Sequence, residues 1–304
     1  MTKYAHIFFI DGVGLGEPDP EKNPFVTADL PFFTGMFGPD WYLVDSGKRV
    51  SERATLVPTD AQLGVEGRPQ SATGQAVILS GRNVSAAIGE HYGPKPNQAV
   101  RDELAKGSLF DDVVANGGRA ALLSPYPHGY FAAIESGKRL YSSVPQAVVN
   151  AGLRLYGVDE IRAGEAVSPG FTGELWRTML KVDDVPLYTL PEAGEKIAQL
   201  AADYQFSFFE HWPSDRFGHR GPLEDARAHL EKLDQVYSGL INAWDDANGL
   251  LIITSDHGNI EDKSRRTHTL NPVATVVVGE RHEAIADQIH DLTDIAKVVR
   301  SFLF

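Results

Sequence analysis

Three carboxylates and three imidazoles in this chain stand beside apolar runs: Asp11, Asp215, His219, Asp256, His257 and His268. The most informative stretch is Leu-Ile-Ile-Thr-Ser-Asp-His-Gly-Asn at 251–259, where a strand-like run empties into Asp256 and His257. Adjacent carboxylate and imidazole form a donor pair suited to zinc or manganese. Asp215 and His219, four apart after another apolar run, can converge on one ion from a turn, and His268 directly precedes the run at 273. Each residue alone also reads as a cap or a surface group. Together the six fit two cations about 3.5–4 Å apart, the arrangement used for in-line phosphoryl transfer.

A nucleophile for such chemistry lies in Pro-Gln-Ser71-Ala-Thr73-Gly74-Gln75. Ser71 is expected at the amino end of a helix, where N–H groups and the helix dipole favour a phosphoryl group. The plainer reading makes Ser71 an N-cap, and Thr73 is a second hydroxyl that spacing does not exclude. Gly12-Val-Gly14-Leu-Gly16 follows a strand, but its spacing and the Glu-Pro-Asp-Pro after it are wrong for a dinucleotide fingerprint. These glycines instead suit a loop passing close to metals. Among the other histidines, His211 is a candidate to support the ligands, and His229 is expected to be solvated on a long helix. Arg82 and Asn83 are possible phosphate contacts, more simply read as solvated.

The elements that must position these groups follow from periodicity. Ala5 to Ile10 reads as a buried strand, and residues 12–70 as loop with short elements. Thr73 to Leu79 and Ser108 to Asn116 read as helices, and Ala120 to Leu123 as a strand. A helix over Pro191 to Tyr204 precedes a strand around Phe206, Phe208 and Phe209. The stripe Leu223, Ala226, Leu230, Leu233, Tyr237, Leu240, Trp244 steps by three and four and predicts an amphipathic helix with Pro222 in its first turn. Strands at 250–254 and 273–278 and a helix from about 294 close the pattern. The fold class is therefore α/β, a largely parallel sheet sandwiched between helices, in a single domain over 1–304. Residues 125–190 break the rhythm and are expected to form a small cap or an elaborated insertion.

The chain has 304 residues and no cysteine, so thiolate sites and disulfides are excluded. Its net charge of -13 argues against nucleic acid as a partner, which needs basic patches. A small phosphorylated substrate remains compatible, because bound metals reverse the local field. Apolar runs are strand-sized, so no membrane span is expected. No signal-like segment precedes the first strand, and a cytoplasmic location is the expectation. Composition carries no oligomeric state.

In this order the motifs resemble the alkaline phosphatase superfamily of binuclear metalloenzymes. The likeness is closest to the branch with cofactor-independent phosphoglycerate mutase and phosphopentomutase. It is carried by Asp11-Gly, Ser71-x-x-Gly74, Asp215-x-x-x-His219, Asp256-His257-Gly-Asn and His268-Thr-x-Asn-Pro-Val. The resemblance implies an alkaline-phosphatase-like fold and Ser71, rather than Thr73, as nucleophile. It also implies one ion on Asp11, Asp256, His257 and Ser71, and a second on Asp215, His219 and His268. Gln75 departs from the pattern, since the mutases carry His there, and the chain is too short for the mutase's large second domain. The Ser71 context does not fit the sulfatases. The reading is a phosphatase or phosphodiesterase using two divalent ions, zinc or manganese, and a phosphoserine intermediate. The alternatives are a phosphomutase and a non-catalytic metal-binding protein.

Overall fold

The computed structural model describes residues 3–304. Seven strands form one mixed sheet: β1 Tyr4–Ile10, β2 Arg49–Val50, β3 Ala54–Thr59, β4 Ala120–Leu122, β5 Phe206–His211, β6 Gly249–Ser255 and β7 Val273–Val278. Their spatial order is β2-β3-β7-β6-β1-β5-β4. β1 lies centrally, parallel to β5 and β6, and β4 extends the parallel set. β7 runs antiparallel to both β6 and β3. All residues of β1, β5 and β6 are buried, as expected of strands covered on both faces.

Side-chain alternation divides the core in two. Phe8, Ile10, Leu251 and Ile253 pack on the face carrying the helices Leu190–Ala201 and Leu223–Asn242. Ile7, Phe9, Leu250 and Ile252 pack on the face carrying Ser71–Ser80 and Thr293–Leu303. The predicted amphipathic stripe thus buries as one long helix. Thr189 and Glu192 close a capping box at the start of its partner.

Residues 12–70, expected to be loop with short elements, also hold β2 and β3. The segment 125–190 connects β4 towards β5 through four short helices, His128–Glu135, Ser143–Asn150, Val158–Arg162 and Glu174–Thr178. Among the described residues, no helix is long and apolar enough to cross a membrane.

Topology fixes where the chemistry falls. β1, β5 and β6 are parallel, so Asp11, the 212–219 segment and Asp256-His257 all leave the same sheet edge. β7 is antiparallel to β6, so its start, just after His268, lies at that edge too. β3 ends there as well, with Thr59 opposite Val273, and the loop after it delivers Ser71.

Candidate metal centre

His257 is the hub. Its Nε2 lies 3.0 Å from Ser71 Oγ, 3.4 Å from Asp11 Oδ1 and 3.7 Å from Asp256 Oδ1. Asp215, His219 and His268 form a neighbouring group, with His219 Nε2 3.3 Å from Asp215 Oδ2 and His268 Nε2 3.7 Å from Asp215 Oδ1. Donor atoms of Asp215, His219 and His268 lie within 4.8 Å of one another, as do those of Asp11, Asp215 and His257. Asp215 therefore belongs to both groups, and the His257 and His268 rings stack with centroids 3.6 Å apart. All seven residues singled out in the sequence meet in one place.

Close backbone approach makes this convergence possible. Gly12 has φ +70°, and a Cβ there would stand 2.7 Å from Asp215 Oδ1. Gly74 sits where the helix Ser71–Ser80 presses on β6's end, and a Cβ there would lie 2.8 Å from Asp256 Cβ. Gln70 occupies the N-cap position and Ser71 is the first helical residue, its hydroxyl turned to His257. The capping reading of Ser71 is thereby corrected. Thr73 points elsewhere, its hydroxyl donating to the carbonyl of Gln70. Gln75 donates to Asp256 Oδ2 at 3.3 Å.

The electrostatics are those of crowded buried acids. Burial, then the charge of Asp256, holds the Asp11 carboxyl well above the usual range. Burial and the Asp215 charge push Asp256 up to about 8. At Asp215 burial pulls upward, yet the His219 hydrogen bond and the nearby imidazoles bring it to about 2. Burial drives His257 down to about 3.

Residues 186–303 match the family model described as the Metalloenzyme superfamily. The matched segment is under half of the chain. It holds Asp215, His219, Asp256, His257 and His268, whereas Asp11 and Ser71 join them from outside it. A 2,3-bisphosphoglycerate-independent phosphoglycerate mutase of Roseobacter denitrificans is 34% identical over 156 residues, covering 43% of this chain and 30% of the mutase. The chain thus matches under a third of that relative's length. Among solved structures, phosphoglycerate mutase of Leishmania mexicana superposes with TM-score 0.54 at 12% identity, covering 100% of this chain and 95% of that one. Alkaline phosphatase from the Antarctic bacterium TAB5 gives TM-score 0.50 at 12% identity, covering 100% and 99%. At such identity these two likenesses establish the alkaline-phosphatase-like fold alone.

The donor set of this site fits divalent cations. Asp11 Oδ1 is buried without a hydrogen-bond partner. The Nδ1 atoms of His268 and His219 face the carbonyls of Pro69 and Arg266 at 2.7 and 2.8 Å. That contact places N–H on Nδ1 and leaves Nε2 as the lone-pair donor, as in metal-binding histidines. The two Nε2 atoms then face one another at 3.2 Å, which a cation between them, or a proton on one, relieves.

Several organising residues were not read from sequence. Asn259 donates to Asp215 Oδ1 at 2.6 Å. Buried Glu261 accepts from the N–H groups of Gly14 and Asn259 and from the Thr269 hydroxyl, tying three loops together. Asn259 belongs to the Asp-His-Gly-Asn motif and was findable there; Glu261 carries no such signal. Two expectations fail. His229 is buried rather than solvated, with Nε2 2.9 Å from His211 Nε2. His211 is thereby committed to His229 and the Pro169 carbonyl, and it does not support the ligands. Asn83 caps a short helix and donates to Leu63, while Arg82 donates to the carbonyls of Glu103 and Gly107. Neither is a phosphate contact.

Proposed function

We propose that the chain is a metal-dependent phosphoryl-transfer enzyme acting on a small phosphorylated molecule through a phosphoserine at Ser71. The supporting observation is Ser71 Oγ at 3.0 Å from His257 Nε2, amid carboxylates and imidazoles contributed by distant segments. Asp11, Asp256, His257 and Ser71 would hold one divalent ion, and Asp215, His219 and His268 the other, with zinc and manganese the metals suited to these donors. When bound, such ions lower the pKa of coordinated oxygens and offset the charge of the transferring group.

The chain's own residues supply position. Gln75 and the N–H of Gly12 hold Asp256 by hydrogen bonds, and Asn259 holds Asp215. The amino end of the Ser71–Ser80 helix directs its dipole at the phosphoryl oxygens. Ser71 Oγ forms a bond to phosphorus as the ester P–O bond breaks, and its proton passes through solvent to the departing alcohol. Water then cleaves the Oγ–P bond, restoring the serine proton and releasing phosphate.

Hydrolysis is the principal reading, and transfer to a second hydroxyl, a phosphomutase reaction, is the second. The second is favoured by the names of the curated relatives and by the placement of segment 125–190. Its Ser143 hydroxyl donates to the carbonyl of Ala72, which anchors the segment to the helix that carries the nucleophile. In this reading residues 1–304 act as one domain with 125–190 as its cap. A non-catalytic metal-binding protein is the remaining alternative. The deciding experiment incubates wild type and Ser71→Ala, loaded with manganese or zinc, with a panel of phosphomonoesters and diesters. Phosphate release and acid-stable phosphoenzyme in wild type alone support the proposal. Equal rates in both proteins remove Ser71 from the mechanism, and phosphoenzyme without phosphate release removes simple hydrolysis.

A further inference from the structure

Beside the metal centre, on the sheet edge where β4 and β5 end, lies a cleft of about 470 Å³. Its walls come from 125–130, Arg139, 168–170, 175–180 and Trp212-Pro213. It adjoins the candidate site covalently and in register. Trp212 leads into the helix Pro213–His219, which carries Asp215 and His219. Glu210, bound by the Tyr126 hydroxyl, pairs in register with Phe9, two residues before Asp11.

The lining has a definite chemistry. Tyr126 and Tyr130 stack with centroids 4.2 Å apart and planes at 25°. Tyr130 is 7% exposed, and its hydroxyl is buried without a partner. The Arg139 guanidinium lies 4.7 Å from the centroid of the Tyr130 ring. Opposite polar character is scarce: Leu175, Met179, Leu180 and Trp212 line the cleft although they are 55%, 73%, 43% and 49% exposed. Large apolar groups left in water beside a pocket of drug-like size mark a binding surface.

We infer that this cleft receives the alcohol portion of the phosphorylated substrate, and that this portion is a planar ring bearing an anionic or hydrogen-bond-accepting substituent. This rests on the phosphoryl-transfer reading of the adjoining centre. The half-exposed Trp212 ring gives the cleft a flat aromatic wall, which selects a flat partner. The exposed Arg139 guanidinium lines the cleft and is a donor, so it selects an acceptor on the ring. A three-carbon acid would leave the apolar walls in water.

The test compares ethyl phosphate, benzyl phosphate and 4-carboxybenzyl phosphate, whose leaving alcohols are of similar acidity, on the metal-loaded enzyme. Wild type is expected to favour benzyl over ethyl phosphate in kcat/KM by about tenfold or more, the scale of selectivity apolar contacts give. The carboxylated ester should gain further, and Arg139→Gln should abolish that gain. In the Leu175→Ser/Met179→Ser double variant the benzyl-to-ethyl ratio should fall towards one. Both esters carry the same phosphoryl group, so damage to the metal centre lowers both rates and leaves the ratio intact. A turnover-free arm titrates 4-(hydroxymethyl)benzoate against tryptophan fluorescence, with Trp212→Phe as control. Saturable quenching that the control loses is expected. If wild type turns over no ester, the phosphoryl-transfer reading falls while quenching still decides the cleft. A wild-type ratio near one, a ratio the double variant leaves unchanged, or absent quenching overturns the inference. So does a dimer in sedimentation that the double variant dissociates, which would make the surface a subunit contact.

Discussion

Replacing Gly74 by alanine should damage the centre without touching a polar group. The added Cβ would sit 2.8 Å from Asp256 Cβ and 2.9 Å from Asp256 O. Carbon atoms in contact prefer about 3.5–4.0 Å, so the first approach is short by roughly 0.7 Å or more. Neither neighbour is the end of a flexible side chain, so the helix and the end of β6 must separate. Overpacking of this kind costs about 1–3 kcal/mol, partly offset by the roughly 1 kcal/mol that alanine gains over glycine inside a helix. Net stability should therefore fall by about 0–2 kcal/mol. The rate should suffer more, because Ser71 rides on the displaced turn, and a misplacement of about 1 Å costs on the order of 100-fold. Gly35 is the control: a Cβ there meets nothing within 4 Å, so Gly35→Ala should be neutral to mildly stabilising. Urea midpoints and kcat/KM on an activated aryl phosphate measure both effects. A Gly74→Ala protein with wild-type rate and midpoint would refute the claim that this contact sets the position of Ser71.

Chelation followed by manganese or zinc should raise the thermal midpoint, since ligand at about 100 times its Kd adds roughly 2.7 kcal/mol. Asp215→Asn should shrink that rise more than His219→Ala, because Asp215 serves both donor groups; equal responses would argue against sharing. Asp234 accepts from the N–H groups of Phe32 and Phe33 at 2.9 Å each, capping the helix Pro31–Phe37. Asp234→Ala should cost about 1–2 kcal/mol in urea unfolding at neutral pH, and an unchanged midpoint would dismiss the cap. Burial raises Glu210 from its ordinary 4.5 to about 7. The folded state then holds a proton the unfolded state releases, so wild-type stability relative to Glu210→Gln should fall as pH rises from about 4.5 through 7. A pH-independent difference between the two unfolding curves would show that Glu210 is not protonated in that range.

Much of this arrangement was legible because local rules and tertiary demands agree. The Leu223–Trp244 stripe could only bury as a helix, and each apolar run ending in Asp or His became a strand ending at the site. Strand direction was not legible. β7 is a run of small apolar residues without periodic polarity, and such a run carries no sign of whether it lies parallel or antiparallel. β3 escaped because Pro58 and the turn residues around it read as loop, although its six residues pair fully with β7. His229 shows a different failure. It lies three residues after Ala226 and four before Leu233, on the buried stripe, so spacing alone argued for burial and residue type argued for solvent. Its partner His211, eighteen positions earlier on another element, settles the conflict by satisfying the imidazole in the core. The metal-donor set was easier to read than this pair for a physical reason. Its members must all emerge at one sheet edge, and strand ends are marked in sequence, whereas the contact between the last residue of β5 and a residue on a helix face leaves no mark in either segment of which partner it takes. The aromatic cleft belongs with the second kind, since its walls come from five separated stretches whose meeting only the folded chain reveals.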